Sequence, residues 1–439
     1  MLPERKRTRF RKGIFSPMRL GLLVLLMMLA FGAFSTSSVH AQRVENYCMP
    51  GDEPVFKFGF ADLKEEYGHW IGDPLECEHY DSEGNAYQKT TTGLLVYEKS
   101  LSRVSFVPNS WLIPDSAGPV ATAEELVARY SIAALRADSY GQEGDIEMVR
   151  RMGSTSSFTR YEIAYPSDGL RIGGFMNIPF GNGPFPVVIV NHGYMPTRSY
   201  ETLTYTTKYA DALASAGFLV IHPNYRNHNG SDYGSNPFRV GYARDILHLI
   251  PMAQRLPQAD GQKVGMWGHS MGGGITQRVL TVSDQVKAAV LYASVISDEG
   301  ANRSYWRQYW RRGRPDIFGA IPHPSNNHEL NVAVSPFYHL DNINAALAIH
   351  HGVRDSEVPY RWSLDLAQQL DRAGKPYDFY RYAYQDHNFT GSDLNLLNQR
   401  SIEFFRQHLL WSTSAEELPD DSVQPTRSVI SPAMSLQPF

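Results

Sequence analysis

The chain has 439 residues, 42% of them hydrophobic and 20% charged, with a formal charge of -4 at pH 7. That length can bury one large core and a smaller one, and the composition excludes a disordered or fibrous chain.

The first forty residues differ in kind from the rest. A basic stretch, "RKRTRFRK", leads into an apolar run over 20–34 and then "STSSVHAQ", with small residues at Val39 and Ala41. Cations, a short hydrophobic segment and a Val-x-Ala site form the order of a secretory signal, so residues 1–41 are expected to be a signal peptide cleaved after Ala41. The mature protein is then secreted or periplasmic. The apolar run is short for a membrane span, which needs roughly 20 residues. Membrane attachment is expected only if this segment stays uncleaved. Its removal takes away seven Lys/Arg and one Glu, leaving 34 basic and 44 acidic side chains and a formal charge of about -10. So acidic a chain is a poor nucleic-acid binder. The two cysteines, Cys48 and Cys77, lie in the exported N-terminal part, where an oxidising compartment lets them pair; two buried free thiols are the alternative.

Residues 43–114 read as a small α+β module. Residues 60–67 can form a short amphipathic helix, and "TTTGLLVYEKS" has the β-branched and aromatic content of a strand. "DSAGPVA" at 115–121 reads as a flexible linker, so the module is expected to be tethered rather than built into a site. "TAEELVARYSIAALRA" has helical spacing with Thr122 as N-cap and completes a linker-and-helix segment, 115–146. Residues 147–411 form one further domain, in which strands and helices alternate from Phe158 on. "FTRYEIAY" and "LRIGGFMNIP" form an antiparallel pair, and "FPVVIV", "FLVIHP", "KVGMWGHS", "VKAAVLYAS", "ALAIHHG" and "YDFYRYAY" are strands separated by helical stretches. Repeated βα units predict an α/β fold, a mostly parallel sheet with helices on both faces. The tail, 412–439, is rich in Ser, Pro and acidic residues and is expected to be disordered.

"KVGMWGHSMGGG" carries the chemistry. No lysine follows its glycines, so it is not a phosphate-binding Walker loop, and the first spacing of a dinucleotide fingerprint fails. Gly268-His269-Ser270-Met271-Gly272 fits a nucleophile elbow, in which a strand ends in Gly-x-Ser-x-Gly and opens into a helix. The pentapeptide arises by chance roughly 0.15 times in such a chain, so its partners must decide. They should follow as an acid and then a histidine, each just beyond the end of a later strand. Asp355 follows "ALAIH" in the loop "HGVRDSEVPY", and His387 follows "YDFYRYAY" in "QDHNF". Asp355 is therefore the candidate acid, ahead of Glu357 and Asp386, and His387 the candidate base. The other histidines, including His339, His350 and His351, are expected to be structural. The oxyanion donors are the backbone N–H of Met271 at the amino end of the elbow helix and that of Tyr194 in the "VNHGYM" turn, which His192 buttresses.

Together "YPSDGLRIGGFMNIP", "NHGY", "PNYR" followed by "DYG", "GHSMGGG", "HGVRDSEVPY" and "DHNF" resemble the catalytic domain of the prolyl oligopeptidase family of serine peptidases, within the α/β-hydrolase superfamily. The resemblance implies an α/β-hydrolase fold over 147–411 and a serine peptidase acting on small peptides through an acyl-enzyme. Nucleophile, acid and base fall at Ser270, Asp355 and His387, with an oxyanion donor at Tyr194. Typical members carry an upstream β-propeller or sandwich domain, and residues 43–146 are too few for a propeller. Carboxylic ester hydrolysis on the same fold stays open.

An insertion over 301–332 interrupts the βα rhythm. In it Trp306 and Trp310 are four apart, as are Arg307 and Arg311, so a helix would carry an aromatic stripe beside a basic one. As a lid, its arginines would hold a substrate carboxylate or phosphate and its tryptophans would form a pocket; as a plain amphipathic helix, the tryptophans pack and the arginines are solvated. "HEL" at His328 lacks the second histidine of a zinc-protease helix. No metal and no cofactor are expected.

Overall fold

The computed structural model describes residues 53–68, 71–80, 84–99, 103–108, 122–310 and 324–410. The expected signal segment, the expected linker over 115–121, Cys48, Arg311 and the tail lie outside them.

The N-terminal module consists of helix α1 (Phe58–Tyr67) and four antiparallel strands in the order β1 (His79–Tyr80), β2 (Ala86–Lys89), β3 (Gly93–Glu98), β4 (Arg103–Pro108). Strand β3 shows why this segment is continuously apolar. Side chains alternate across a strand, so Leu95 turns to one face and packs with Phe60, Leu63, Ile71, Ala86 and Phe106. Leu94 and Val96 turn to the other and meet Leu126, Leu330 and Val334. The module is thus packed against the rest of the chain, not loosely tethered to it. Two faces of one short strand belong to two different cores.

Thr122 caps helix α2 (Ala123–Tyr130) in a capping box, its hydroxyl accepting from the Glu125 N–H at 3.2 Å while the Glu125 carboxylate accepts from the Thr122 N–H at 2.7 Å. The single helix expected here is two. Ser131, with an extended ψ of 155°, accepts from the Ala134 N–H and begins α3 (Ile132–Ala137). A serine hydroxyl offers the backbone this alternative to helical continuation.

The main sheet has nine strands: β5 (Glu147–Ser154), β6 (Phe158–Ser167), β7 (Leu170–Pro179), β8 (Phe185–Asn191), β9 (Leu219–Pro223), β10 (Ala259–His269), β11 (Ala288–Tyr292), β12 (Ala346–Gly352) and β13 (Tyr377–Tyr382). Their spatial order is β13-β12-β11-β10-β8-β9-β7-β6-β5. The six strands from β8 to β13 pair in parallel, and β5, β6 and β7 add an antiparallel edge through β9. Helices α4 (Thr207–Ser215) and α10 (Gly391–Phe405) pack with one core, while α5 (Val240–Gln254), α6 (Met271–Val282) and α9 (Tyr360–Arg372) pack with the other. Strand β8 serves both: Val187 and Ile189 enter one core, Val188 and Val190 the other. Each such side chain, fully buried, contributes about 1.5–3 kcal/mol. Helices α7 (Glu299–Trp310) and α8 (His328–Val334) fall between β11 and β12.

Candidate active site

Parallel pairing brings the carboxyl ends of β8, β10, β11, β12 and β13 to one edge of the sheet, the edge where ligands bind in open α/β folds. Strand β10 lies between β8 and β11, in register Gly268 with Asn191 and His269 with Tyr292. Ser270 follows at once with φ 56°, ψ -120°, a left-handed conformation costly for any residue with a Cβ. The surroundings hold it there. Its N–H donates to the Tyr292 carbonyl at 3.0 Å, and its carbonyl accepts from Gly273 and Val295 at 3.0 and 3.1 Å. The flanking glycines are required by approach: a Cβ on Gly268 would stand 2.5 Å from the Gly272 carbonyl oxygen, and one on Gly272 would collide with Asn191 and stand 2.6 Å from the His192 oxygen.

His387 Nδ1 donates to Asp355 Oδ2 at 2.8 Å, with both side chains almost wholly buried. Asp355 Oδ1 accepts from the Glu357 and Val358 N–H groups at 2.9 and 2.8 Å. Burial alone would raise the Asp355 pKa, but the hydrogen bonds from His351, His387 and Val358 outweigh it and hold the carboxyl well below the usual range. The rival acids serve otherwise. Asp386 accepts from the Ser356 and His387 N–H groups at 2.7 Å and braces the two loops. Glu357, exposed, comes 3.9 Å from His387 Nε2. Among the described residues Ser270 Oγ makes no hydrogen bond to Nε2; such bonds often tighten only when substrate is bound.

Met271 is the first residue of α6, where backbone N–H groups lack intrahelical acceptors. Tyr194 follows the turn that β8 feeds. His192 buttresses this turn as expected, with Nδ1 2.7 Å from the Gly193 oxygen and Nε2 3.2 Å from that of Asn224. Burial, then the neighbouring His228 and His222, push the His192 pKa well down, so only one of its two nitrogens carries a proton to donate to these oxygens.

Sequence reasoning missed three residues here. His351, expected to be purely structural, lies 3.1 Å from Asp355 Oδ2, the oxygen that His387 also meets, and bonds Ser363 Oγ through Nδ1 at 2.6 Å. Its one signal was its place four residues before Asp355. Tyr292 donates to the His387 carbonyl at 2.8 Å and accepts from the Phe389 N–H at 2.7 Å. Tyr205 accepts from the Gly193 N–H at 2.9 Å. Neither tyrosine carried any sequence signal.

The insertion helix α7 begins at this edge. Buried Glu299 anchors it, accepting from Arg239 and Arg278 at 2.7 and 2.6 Å. Tyr305 donates to the Glu357 carbonyl at 3.1 Å and packs edge-to-face on Trp306 and Trp362. Trp306 is half-buried. The side chains of Arg307 and Trp310 lie outside the described residues, as does Arg311. Elsewhere Glu143, Asp168 and His248 bring possible ligand atoms within 4.8 Å of one another. The Asp168 carboxylate is already held by Arg226 and Arg244 at 2.8 and 2.7 Å, so the cluster is an ion-pair network.

A strained serine between strand and helix, with an Asp–His pair beyond later strands of a mostly parallel sheet, defines an enzyme of the α/β-hydrolase class. Residues 203–411 match the model of the prolyl oligopeptidase family. Among similar proteins, the uncharacterized peptidase YuxL of Bacillus subtilis is 27% identical over 272 residues, 56% of this chain and 39% of its own. The uncharacterized peptidase YtmA of the same organism is 25% identical over 245 residues, 55% of this chain and 91% of its own. The chain thus spans about two fifths of the first relative's length. The crystal structure of the acylaminoacyl peptidase of Pyrococcus horikoshii is 21% identical, covering 78% of this chain and 50% of that one, with a TM-score of 0.49.

Proposed function

We propose that the protein is an exported serine peptidase that cleaves small peptides through an acyl-enzyme. The observation that carries this reading is the 2.8 Å Asp355–His387 pair beside the strained Ser270 elbow. Ser270 Oγ passes its proton to His387 Nε2 as it attacks the acyl carbon. Asp355 stays ionised and stabilises the imidazolium. The N–H groups of Met271 and Tyr194 receive the negative charge on the carbonyl oxygen. The imidazolium then protonates the leaving amine, and water enters by the same route to release the acid. Export is supported by the N-terminal segment and by Cys77, which is disulfide-bonded.

A second reading, carboxylic ester hydrolysis, is favoured by one feature: the described residues ahead of β5 form a four-stranded sheet and three helices, with no propeller among them to restrict entry to peptides. A fluorophosphonate should label Ser270 of the purified mature protein; equal labelling of Ser270→Ala would refute the assignment. Catalytic efficiencies on peptidyl anilides and on short acyl esters, measured in parallel, separate the two readings. Turnover of esters alone would overturn the peptidase assignment.

A further inference from the structure

His269, the variable second position of the elbow, is buried with both ring nitrogens engaged. Nδ1 lies 2.7 Å from the Tyr205 hydroxyl, which also accepts from the Gly193 N–H at 2.9 Å. Nε2 lies 3.2 Å from the backbone carbonyl of His387. A carbonyl cannot donate, so Nε2 carries the proton; burial keeps His269 neutral, which leaves Nδ1 as acceptor. The single proton of the Tyr205 hydroxyl must then point at Nδ1. Every donor and acceptor along this line has one assignment, running from Gly193 N–H through Tyr205 O–H and His269 Nε2–H to the His387 carbonyl.

The line crosses the whole site. Gly193 precedes Tyr194 beyond β8, His269 precedes Ser270 at the end of β10, and His387 lies beyond β13. A Cβ on Gly193 would collide with the Tyr205 hydroxyl and stand 3.0 Å from Ser270 Cβ, so this turn sits directly against the serine. The Tyr292 hydroxyl braces the His387 loop as well, through the His387 carbonyl and the Phe389 N–H, neither of which lies in the Gly193 turn.

We propose that Tyr205 is a positioning residue, whose hydroxyl, acting through His269, holds the oxyanion turn and the base loop in one register around Ser270. The proposal rests on the reading of Ser270 and His387 as nucleophile and base. Because the groups it orients act on the transition state rather than on bound substrate, its removal reduces kcat and leaves KM.

The test uses the purified mature protein and its Tyr205→Phe, His269→Gln, double and Ser270→Ala variants, with a short acyl ester as substrate. Competent sites are counted by fluorophosphonate titration, and kcat is expressed per titrated site. A purely structural defect lowers the number of sites; loss of positioning lowers the turnover of each. Tyr205→Phe is expected to lower kcat per site about 10- to 100-fold with KM within about threefold, and the double variant to be no worse than the poorer single one. A kcat per site within about threefold of the parent for Tyr205→Phe, or losses that multiply in the double variant, overturns the proposal. His269→Gln decides in the same way should Tyr205→Phe fail to fold. If Ser270→Ala keeps turnover, the reading of the site fails and this inference with it. If Ser270→Ala is inert while Tyr205→Phe turns over at the parental rate, only the role of Tyr205 is refuted.

Discussion

Lowering the pH from 7 to 5 should cost this protein much of its stability, because several histidines are buried where a charge cannot be hydrated. Burial is the leading cause for each of His222, His228 and His350, pushing them down to about 3, 4 and 3. His222 Nδ1 and His350 Nε2 have no hydrogen-bond partner among the described residues, so protonation there would add an unsatisfied donor. In the unfolded chain each would titrate near 6.5. The folded values lie below the unfolded one, so between these limits the unfolded state binds more protons. Stability is therefore complete above about pH 6.5 and falls as the pH drops toward the folded values. At pH 5 the difference is about 1.5 units of protonation free energy per residue, roughly 2 kcal/mol, and on the order of 6 kcal/mol for the three. Domains are commonly stable by only about 5–15 kcal/mol. Asp355 adds nothing in this window, since its carboxyl is ionised in both states at pH 5. Urea denaturation followed by tryptophan fluorescence at pH 7.5, 6 and 5 measures the effect. His350→Gln, whose amide can still meet the Tyr382 hydroxyl that lies 2.9 Å from His350 Nδ1, should lose roughly 2 kcal/mol of the pH dependence. A stability unchanged from pH 7.5 to 5, or an unaltered slope in His350→Gln, would refute the reasoning.

Three further outcomes are expected. His387→Ala should lose as much activity as Ser270→Ala, and the double variant no more, because the groups act as one unit; a far worse double variant would show that they are not partners. Gly272→Ala forces a methyl group onto the Asn191 carbonyl and should lower kcat/KM at least about 100-fold by displacing the elbow, as steady-state kinetics on any accepted substrate would show. Leu94→Ala, on the module face that meets Leu126, Leu330 and Val334, should destabilise the protein by about 2–3 kcal/mol in urea, whereas a loosely tethered module would show almost no change.

What the sequence determined by itself was local. The continuous apolar run of β8 and the βα rhythm follow from which side chains a strand or helix must bury, and they suffice to read an α/β fold. Gly268-x-Ser270-x-Gly272 is likewise legible, because strand, strained turn and helix are contiguous. Asp355 and His387 could be named because the carboxyl ends of parallel strands share one edge, so each loop needed only its own strand to be recognised. The split at Ser131 escaped because helical spacing continues across it, while one hydroxyl bond to Ala134 decides the outcome. Tertiary structure alone decided what depends on distant pairs. Tyr205 meets His269 across 64 residues and Tyr292 meets His387 across 95. The two faces of β3 reach α1 on one side and α2 and α8 on the other. No periodicity encodes such contacts. A tyrosine hydroxyl or a leucine face acquires its role only when folding closes the loop between the partners, and the chain pays that closure entropy for the assembled core as a whole.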